Sequence, residues 1–420
     1  MNTIKQLILV TVLMWTTVSA QALNVADLAI SEIQLEACSD LPKVAYSDVR
    51  SAIFRRHFDK ALDLLGQPKD SSEPEHKYLF GKIHYLQAYE NVNNRSAVVA
   101  DALHLQPARK YIDQAAKQGF AEAIYDQAVL LTPPDEEQKK NNLLKSAADK
   151  KNIPAMLMLA EIMFLKAKTF EDRIEAQSLI LQAANIDTDA KIRLASYYLH
   201  EDSRLNNVTG YDKDINKAIQ FLYSATAKCN SSAAYKLYQM SKNEHKPNDL
   251  PASRAIYWLE ISARLNSIKA QGALAEYYNA NNYHDKARLW ALRAAEHDNL
   301  KGLLTLGKMY YQGNGRDKDL PKALGYYEKA YQVDQTNRLV QNQLGIMYYR
   351  GEGGDVDFRK AADMCKLAAN KGQAGCQYYL GLMYVNGEGV TQDIDAGIDW
   401  MKKSAAQDFN IAKNWLRENW

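Results

Sequence analysis

Beyond its first twenty residues, this chain of 420 residues has no apolar run approaching the ~20 residues that a membrane-spanning helix needs. The mature protein is therefore expected to be soluble. An excess of one charge is also missing: 52 Lys and Arg stand against 50 Asp and Glu, a net charge of +2. No strong field argues for nucleic acid or anionic lipid as a partner. Proline is scarce, at 10 residues, and with 47% hydrophobic and 24% charged residues the profile is globular, with ample apolar content for a continuous core. Cysteine is scarce too. There are four, Cys38, Cys229, Cys365 and Cys376, and no Cys-x-x-Cys pair, so neither a redox pair nor a zinc knuckle is supported.

Chemistry is equally thin. The chain has no S-x-x-K, no G-x-S-x-G, no H-E-x-x-H and no Walker loop. Its eight His are scattered, and the nearest approach to a metal cluster, His200 with Glu201 and Asp202, reads as a solvated loop. The densest acidic run, Asp135-Glu136-Glu137, reads as a helix start that complements the macrodipole rather than as a catalytic pair. No catalytic residue, cofactor or metal is expected.

What the chain does have is repetition. Leu306-Gly307-Lys308-Met309-Tyr310 recurs as Leu344-Gly345-Ile346-Met347-Tyr348 and as Leu380-Gly381-Leu382-Met383-Tyr384. Each copy is followed by a Gly-x-Gly turn (Gly313 to Gly315, Gly351 to Gly353, Gly387 to Gly389) and then by Asp319, Asp357 or Asp393. Lys322-Ala323 and Lys360-Ala361 come next, and Ala330, Ala368-Ala369 and Ala405-Ala406 close the unit. A period of about 30–50 residues decides the architecture before any other feature. The pattern resembles the Sel-one-like repeat, a relative of the tetratricopeptide repeat, with its A-x-x-x-L-G-x-x-Y, G-x-G-V, D, K-A, W-Y and K-A-A-x-x-G signature. The match is strong over residues 300–409. Upstream it persists but erodes: Leu274-Ala275 with Tyr278, Trp258 with Ala263, Leu194-Ala195 with Tyr198, Leu159-Ala160 with Ala183-Ala184, Ala128 with Ala147-Ala148, and Phe80-Gly81 with Ala115-Ala116. Most of these copies lack the Gly-x-Gly turn.

The resemblance implies an all-α, right-handed superhelical solenoid of antiparallel helix pairs. In physical terms, Leu, Gly and Tyr at i, i+1 and i+4 place an apolar side chain, a gap and an aromatic on one face of the first helix. The turn glycines supply positive φ and the helix C-cap. Phe221, Trp258, Trp290, Tyr326, Met364 and Trp400 read as inter-helix core. We divide the chain into a signal peptide over 1–20, a divergent helical segment over 21–75, degenerate repeats over 76–299, well-conforming repeats over 300–409 and a capping helix over 410–420, whose Trp415 to Trp420 stretch reads alternatively as a docking motif. Breaks fall near 67–74 and 132–135, and the loops at 201–211 and 243–251 look elongated.

The N-terminus carries Lys5, the apolar stretch Leu7 to Trp15 and the small residues Val18-Ser19-Ala20. It reads as a secretory signal peptide cleaved after Ala20 or Ala22, its apolar core being too short to span. A bacterial periplasm is expected, with secretion the second choice. In that compartment disulfides persist. Cys365 and Cys376 fall on consecutive helices that run antiparallel across the turn near Lys371-Gly372, so the thiols can meet. Cysteine-rich members of the family use a comparable staple, with the first Cys about one helical turn later. Such a closed loop stabilises by about 2–3 kcal/mol. Cys38 and Cys229 are expected to be free or buried.

In repeats of this kind the first helices line the concave face. The resemblance therefore implies a binding groove made by Leu304, Lys308 and Tyr311, by Asn342, Ile346 and Tyr349, and by Tyr378, Leu382 and Val385. Aromatic and aliphatic anchors of this kind suit a peptide or partner helix, although Tyr311 and Tyr349 read equally as packing on the next repeat. The function implied is a periplasmic scaffold or adaptor for a protein partner, the periplasmic part of an inner-membrane envelope complex, with placement of a secretion apparatus such as type VI as the specific expectation. An inhibitor of a membrane sensor kinase and a peptidoglycan-binding or glycan-acting protein are the alternatives.

Overall fold

The computed structural model describes residue 49 and residues 58–68, 73–94, 101–131, 136–205, 208–242, 252–315 and 317–419. The expected signal peptide, Cys38, the 132–135 break and the 243–251 loop lie outside them. Among the described residues there are twenty α-helices and no strand. The chain divides into two compact units, residues 1–233 with 247–249 and residues 234–246 with 250–420.

The first unit contains α1 (Phe58–Leu65), α2 (Pro74–Asn94), α3 (Asp101–Lys117), α4 (Ala121–Leu130), α5 (Glu137–Asp149), α6 (Ile153–Lys166), α7 (Phe170–Ile186), α8 (Thr188–Leu199) and α9 (Ile215–Ala227). Its early core gathers Phe58, Leu79, Ile83, Ile112 and Ala115. Although the sequence pattern has eroded here, its alanines keep their place: Ala115, Ala147, Ala160 and Ala183 are fully buried. The acidic run starts a helix as expected, with Glu136 at the N-cap position of α5, its side chain making no capping bond, and Glu137 paired to Lys166.

The boundary falls inside α10 (Ser231–Lys242). The second unit continues with α11 (Ala255–Arg264), α12 (Ile268–Ala280), α13 (His284–Ala295), α14 (Leu300–Gln312), α15 (Leu320–Val333), α16 (Arg338–Arg350), α17 (Phe358–Asn370), α18 (Ala374–Asn386), α19 (Ile394–Ala405) and α20 (Asn410–Asn419). Successive helices pack as antiparallel pairs, and α14, α16 and α18 carry Leu-Gly-x-x-Tyr. Leu306, Leu344 and Leu380 are each 1% exposed, and full burial of such a side chain stabilises by about 1.5–3 kcal/mol.

Each signature residue has a mechanical role. The first turn glycine ends its helix in the left-handed region (φ 75° at Gly313, 64° at Gly351, 73° at Gly387), and its N–H bonds back to Met309, Met347 or Met383. The following Asp returns the chain: the Asp319, Asp357 and Asp393 N–H groups donate to the carbonyls of Tyr310, Tyr348 and Tyr384 at 2.9–3.0 Å. The same Asp side chains cap α15, α17 and α19 by accepting from Lys322, Lys360 and Ala396 N–H. Of the first helices, α14 and α16 are capped by amides instead, at Asn299 and Asn337.

Cys365 and Cys376 form the expected disulfide, with Cα atoms 4.7 Å apart, joining α17 to α18. Cys229 departs from expectation: it is disulfide-bonded, not free. Nor is it buried. It lies half-exposed in the α9–α10 turn at φ 65°, past the helical stripe that would have turned its thiol inward. The second-helix aromatics divide. Trp258 and Trp290 are buried, whereas Phe221, Tyr326, Met364 and Trp400 are half-buried. Their position is the rim of the seam, where lysines snorkel across the rings: Lys329 Nζ lies 6.0 Å from the Tyr326 centroid and Lys403 Nζ 4.0 Å from Trp400. On α20, Trp415 and Leu416 pack against the last core cluster.

Candidate functional site

The nine groove residues sit on α14, α16 and α18, three per helix, and differ in how much of themselves they offer. Lys308 is exposed; Leu304, Tyr311, Asn342, Ile346, Tyr349, Leu382 and Val385 are half-buried; Tyr378 is buried, its ring 5.2 Å from Tyr379 and 5.8 Å from Phe409. Three of the polar members are engaged between repeats. The Tyr311 hydroxyl donates to Glu352 at 2.8 Å and the Tyr349 hydroxyl to Glu388 at 2.9 Å, each Glu being the middle residue of the next Gly-x-Gly turn. Asn342 Oδ1 accepts the Cys376 N–H at 3.0 Å. It thereby serves the N-terminus of α18, whose own capping residue, Gln373, makes no side-chain cap.

These ties polarise the tyrosines. Burial, then the bond to a carboxylate, pushes the Tyr349 phenol well above its ordinary range, and the same causes act in the same order on Tyr311. Tyr348 is raised likewise, by burial and by its 2.8 Å bond to Glu328 on α15, and Tyr278 by burial and its bond to Glu260 on α11.

A second recurrent contact escaped the sequence reading. The Lys of the Lys-Ala pair lies over the ring of the signature Tyr: Lys217 over Tyr198 at 5.4 Å, Lys286 over Tyr278 at 5.3 Å, Lys322 over Tyr310 at 5.6 Å and Lys360 over Tyr348 at 5.4 Å. Each is a cation–π contact worth about 0.5–1 kcal/mol at exposed sites. Both residues were visible as motif letters; only the turn geometry shows that they meet.

His200 ends α8 in the left-handed region at φ 56° and donates from Nε2 to Tyr211 O at 2.8 Å, while Asp202 pairs with Arg204 at 2.9 Å. The trio holds a loop together. Among the described residues no group of three or more His, Cys, Asp or Glu converges to hold a metal ion, and no helix is long and apolar enough to cross a membrane.

A family model described as the Sel1 repeat matches residues 188–228, 233–267, 281–299, 302–332, 339–373 and 374–409. Among solved structures, the chain is similar to the Sel1 repeat protein of Oxalobacter formigenes, at 21% identity and a TM-score of 0.48, over 85% of this chain and 99% of that one. It is also similar to c5321, a protective antigen of uropathogenic Escherichia coli strains displaying an SLR fold, at 17% identity and a TM-score of 0.45, over 89% of this chain and 90% of that one. No curated protein matches.

Proposed function

The chain belongs to the Sel1 repeat family, and from that premise we propose that it is a non-enzymatic periplasmic scaffold that holds a protein partner to position or regulate a cell-envelope complex. Sel1 repeat proteins generally mediate protein–protein interaction and are typically non-catalytic. One observation carries the reading. Six repeats between residues 188 and 409 are matched in sequence, and in the last three the named polar side chains are spent on joining helices and turns within and between repeats. Tyr311 and Tyr349 reach the next turn, Asn342 the next helix, and the lysines their own tyrosines. Such a surface holds its shape without a ligand, which lowers the ordering cost of binding a partner.

Lys308, Leu304, Ile346 and Leu382 are the groove side chains we assign to the partner. The N-terminal charged and apolar stretch ending in Val18-Ser19-Ala20 supports export. Positioning of a secretion apparatus such as type VI is the specific process we place it in.

The test is crosslinking of the tagged protein in the periplasm, followed by mass spectrometry of what is retained. We expect one envelope complex, recovered with the wild type and lost with Lys308→Glu/Leu382→Lys at unchanged helicity. A mature N-terminus at Gln21 or Leu23 in the same spectra fixes export. Equal recovery with the double variant would remove the groove, and recovery of peptidoglycan fragments alone would remove the scaffold.

A further inference from the structure

We propose that the cleft beside the last signature tyrosine, Tyr384, receives an acidic segment of the protein partner, with Arg359 and Lys366 taking its carboxylates. The inference rests on the reading of this chain as a protein-binding scaffold and names the chemistry of what binds.

In four earlier repeats a Lys three residues past the second helix's capping position covers the signature Tyr: Lys217 over Tyr198, Lys286 over Tyr278, Lys322 over Tyr310 and Lys360 over Tyr348. In the last repeat the same position, three past Asp393, is Ala396. A second position changes with it. Glu260 and Glu328, five residues past the key alanines Ala255 and Ala323, accept the hydroxyls of Tyr278 and Tyr348. Five past Ala361, facing the last signature Tyr, stands Lys366. The last repeat has lost its cationic lid and exchanged its anionic partner for a cation.

The consequences are visible at Tyr384. Among the described residues its hydroxyl makes no hydrogen bond and no cation lies over its ring. Beside it opens a cleft of about 700 Å³, lined by Tyr384, Arg359, Lys366, Val390 and Thr391. Arg359 and Lys366 are exposed and make no ion pair among the described residues. Gly389 forms the edge: at φ 69° it is pressed onto the Phe358 carbonyl, with no room for a Cβ, so the turn is held against the start of α17.

Two uncompensated cations, an open aromatic face and an apolar edge together suit a carboxylate flanked by an apolar or aromatic side chain. A cationic segment is repelled. A long polyanion is disfavoured by Asp355 and Asp357, which line the neighbouring cleft that Arg359 also borders. A short acidic stretch of a folded or extended protein meets both conditions.

The test uses the full mature chain and a fluorescein-labelled peptide, Gly-Phe-Glu-Asp-Glu-Phe-Gly-amide, beside a counterpart with Lys at the three acidic positions. Fluorescence anisotropy at low salt should show saturable binding of the acidic peptide only, weakening as salt rises. Arg359→Glu/Lys366→Glu should weaken it by about tenfold or more, the scale expected for two solvent-exposed charge pairs. Lys366→Glu/Ala396→Lys, which rebuilds the arrangement found at Tyr348, should close the site to a similar extent, with the thermal midpoint of both variants kept at or above wild type. Undiminished binding by either variant, equal binding of the lysine peptide, or no binding by the wild type overturns the inference. None of these results touches the scaffold reading, which stands or falls on the crosslinked complex.

Discussion

Gly345 shows how little room a single position of the repeat leaves. A Cβ built there would stand 2.5 Å from Cys365 Sγ and 2.9 Å from Cys376 Sγ, so the residue's absent side chain is what lets α17 and α18 close on α16. Gly345→Ala should therefore destabilise the protein by about 1–3 kcal/mol, the usual scale of overpacking. Gly325, within α15, has nothing within 4 Å of the same built atom, and Gly325→Ala should stabilise by about 0.4–1 kcal/mol through the unfolded chain. Urea unfolding of the pair decides the matter, since equal effects would mean that helix propensity alone is being measured. Tyr349 offers a test in pH. Its phenol is raised in the folded state, so the fold favours the neutral form. The stability this gives is complete below the unfolded value of about 10 and is lost as pH rises from there toward the folded value. Tyr349→Phe should cost about 1 kcal/mol or less at neutral pH, and should flatten the fall in melting temperature between pH 9 and 11. A wild-type slope in the variant would show that the Glu388 bond does not govern that fall.

At the level of the helix pair, the sequence spoke clearly where the cause is local. Leu-Gly-x-x-Tyr, the turn glycines and the capping Asp each act within a few residues, and each does in the structure what its spacing implies. Less legible was anything that depends on a partner one repeat away. Tyr349 and Glu388 are 39 residues apart, and Asn342 and Cys376 are 34 apart. No short-range pattern marks them: packing of Tyr311 and Tyr349 on the next repeat was readable, but their Glu partners and the Asn342 bond to Cys376 were not. Half-burial was misjudged for a related reason: Tyr326 and Trp400 carry the periodicity of core residues, and only the lysines lying over their rings place them at a rim. Cys229 has no second cysteine near it in sequence, so nothing local announced its disulfide. The staple between α17 and α18 was readable, because both cysteines flank one short turn. Replacing both by Ala should cost about 3 kcal/mol in the chain-entropy picture. Calorimetry with and without reductant tests it: reductant should lower the midpoint of the wild type more than that of the double variant.

For the whole chain, the division near residue 233 is the main fact that its sequence did not announce, because the erosion of the repeat is gradual and the boundary falls inside a single helix. Arrays of this type are stabilised by terms between nearest neighbours. Residues 234–420, expressed alone, should then keep helical circular dichroism and a cooperative melt, and a featureless melt would show that the second unit borrows its stability from elsewhere. The covalent link has one further consequence. In an array held together only by contacts between neighbours, tension on the C-terminal end strips helices off one after another. Here the sulfurs carry the load from Cys376 straight to Cys365, so the residues between them, about 33 Å of extended chain at about 3.3 Å per residue, are never paid out. Stripping then resumes at α17 against its packing on α16, so the staple shortens the extension that these repeats release without stopping it.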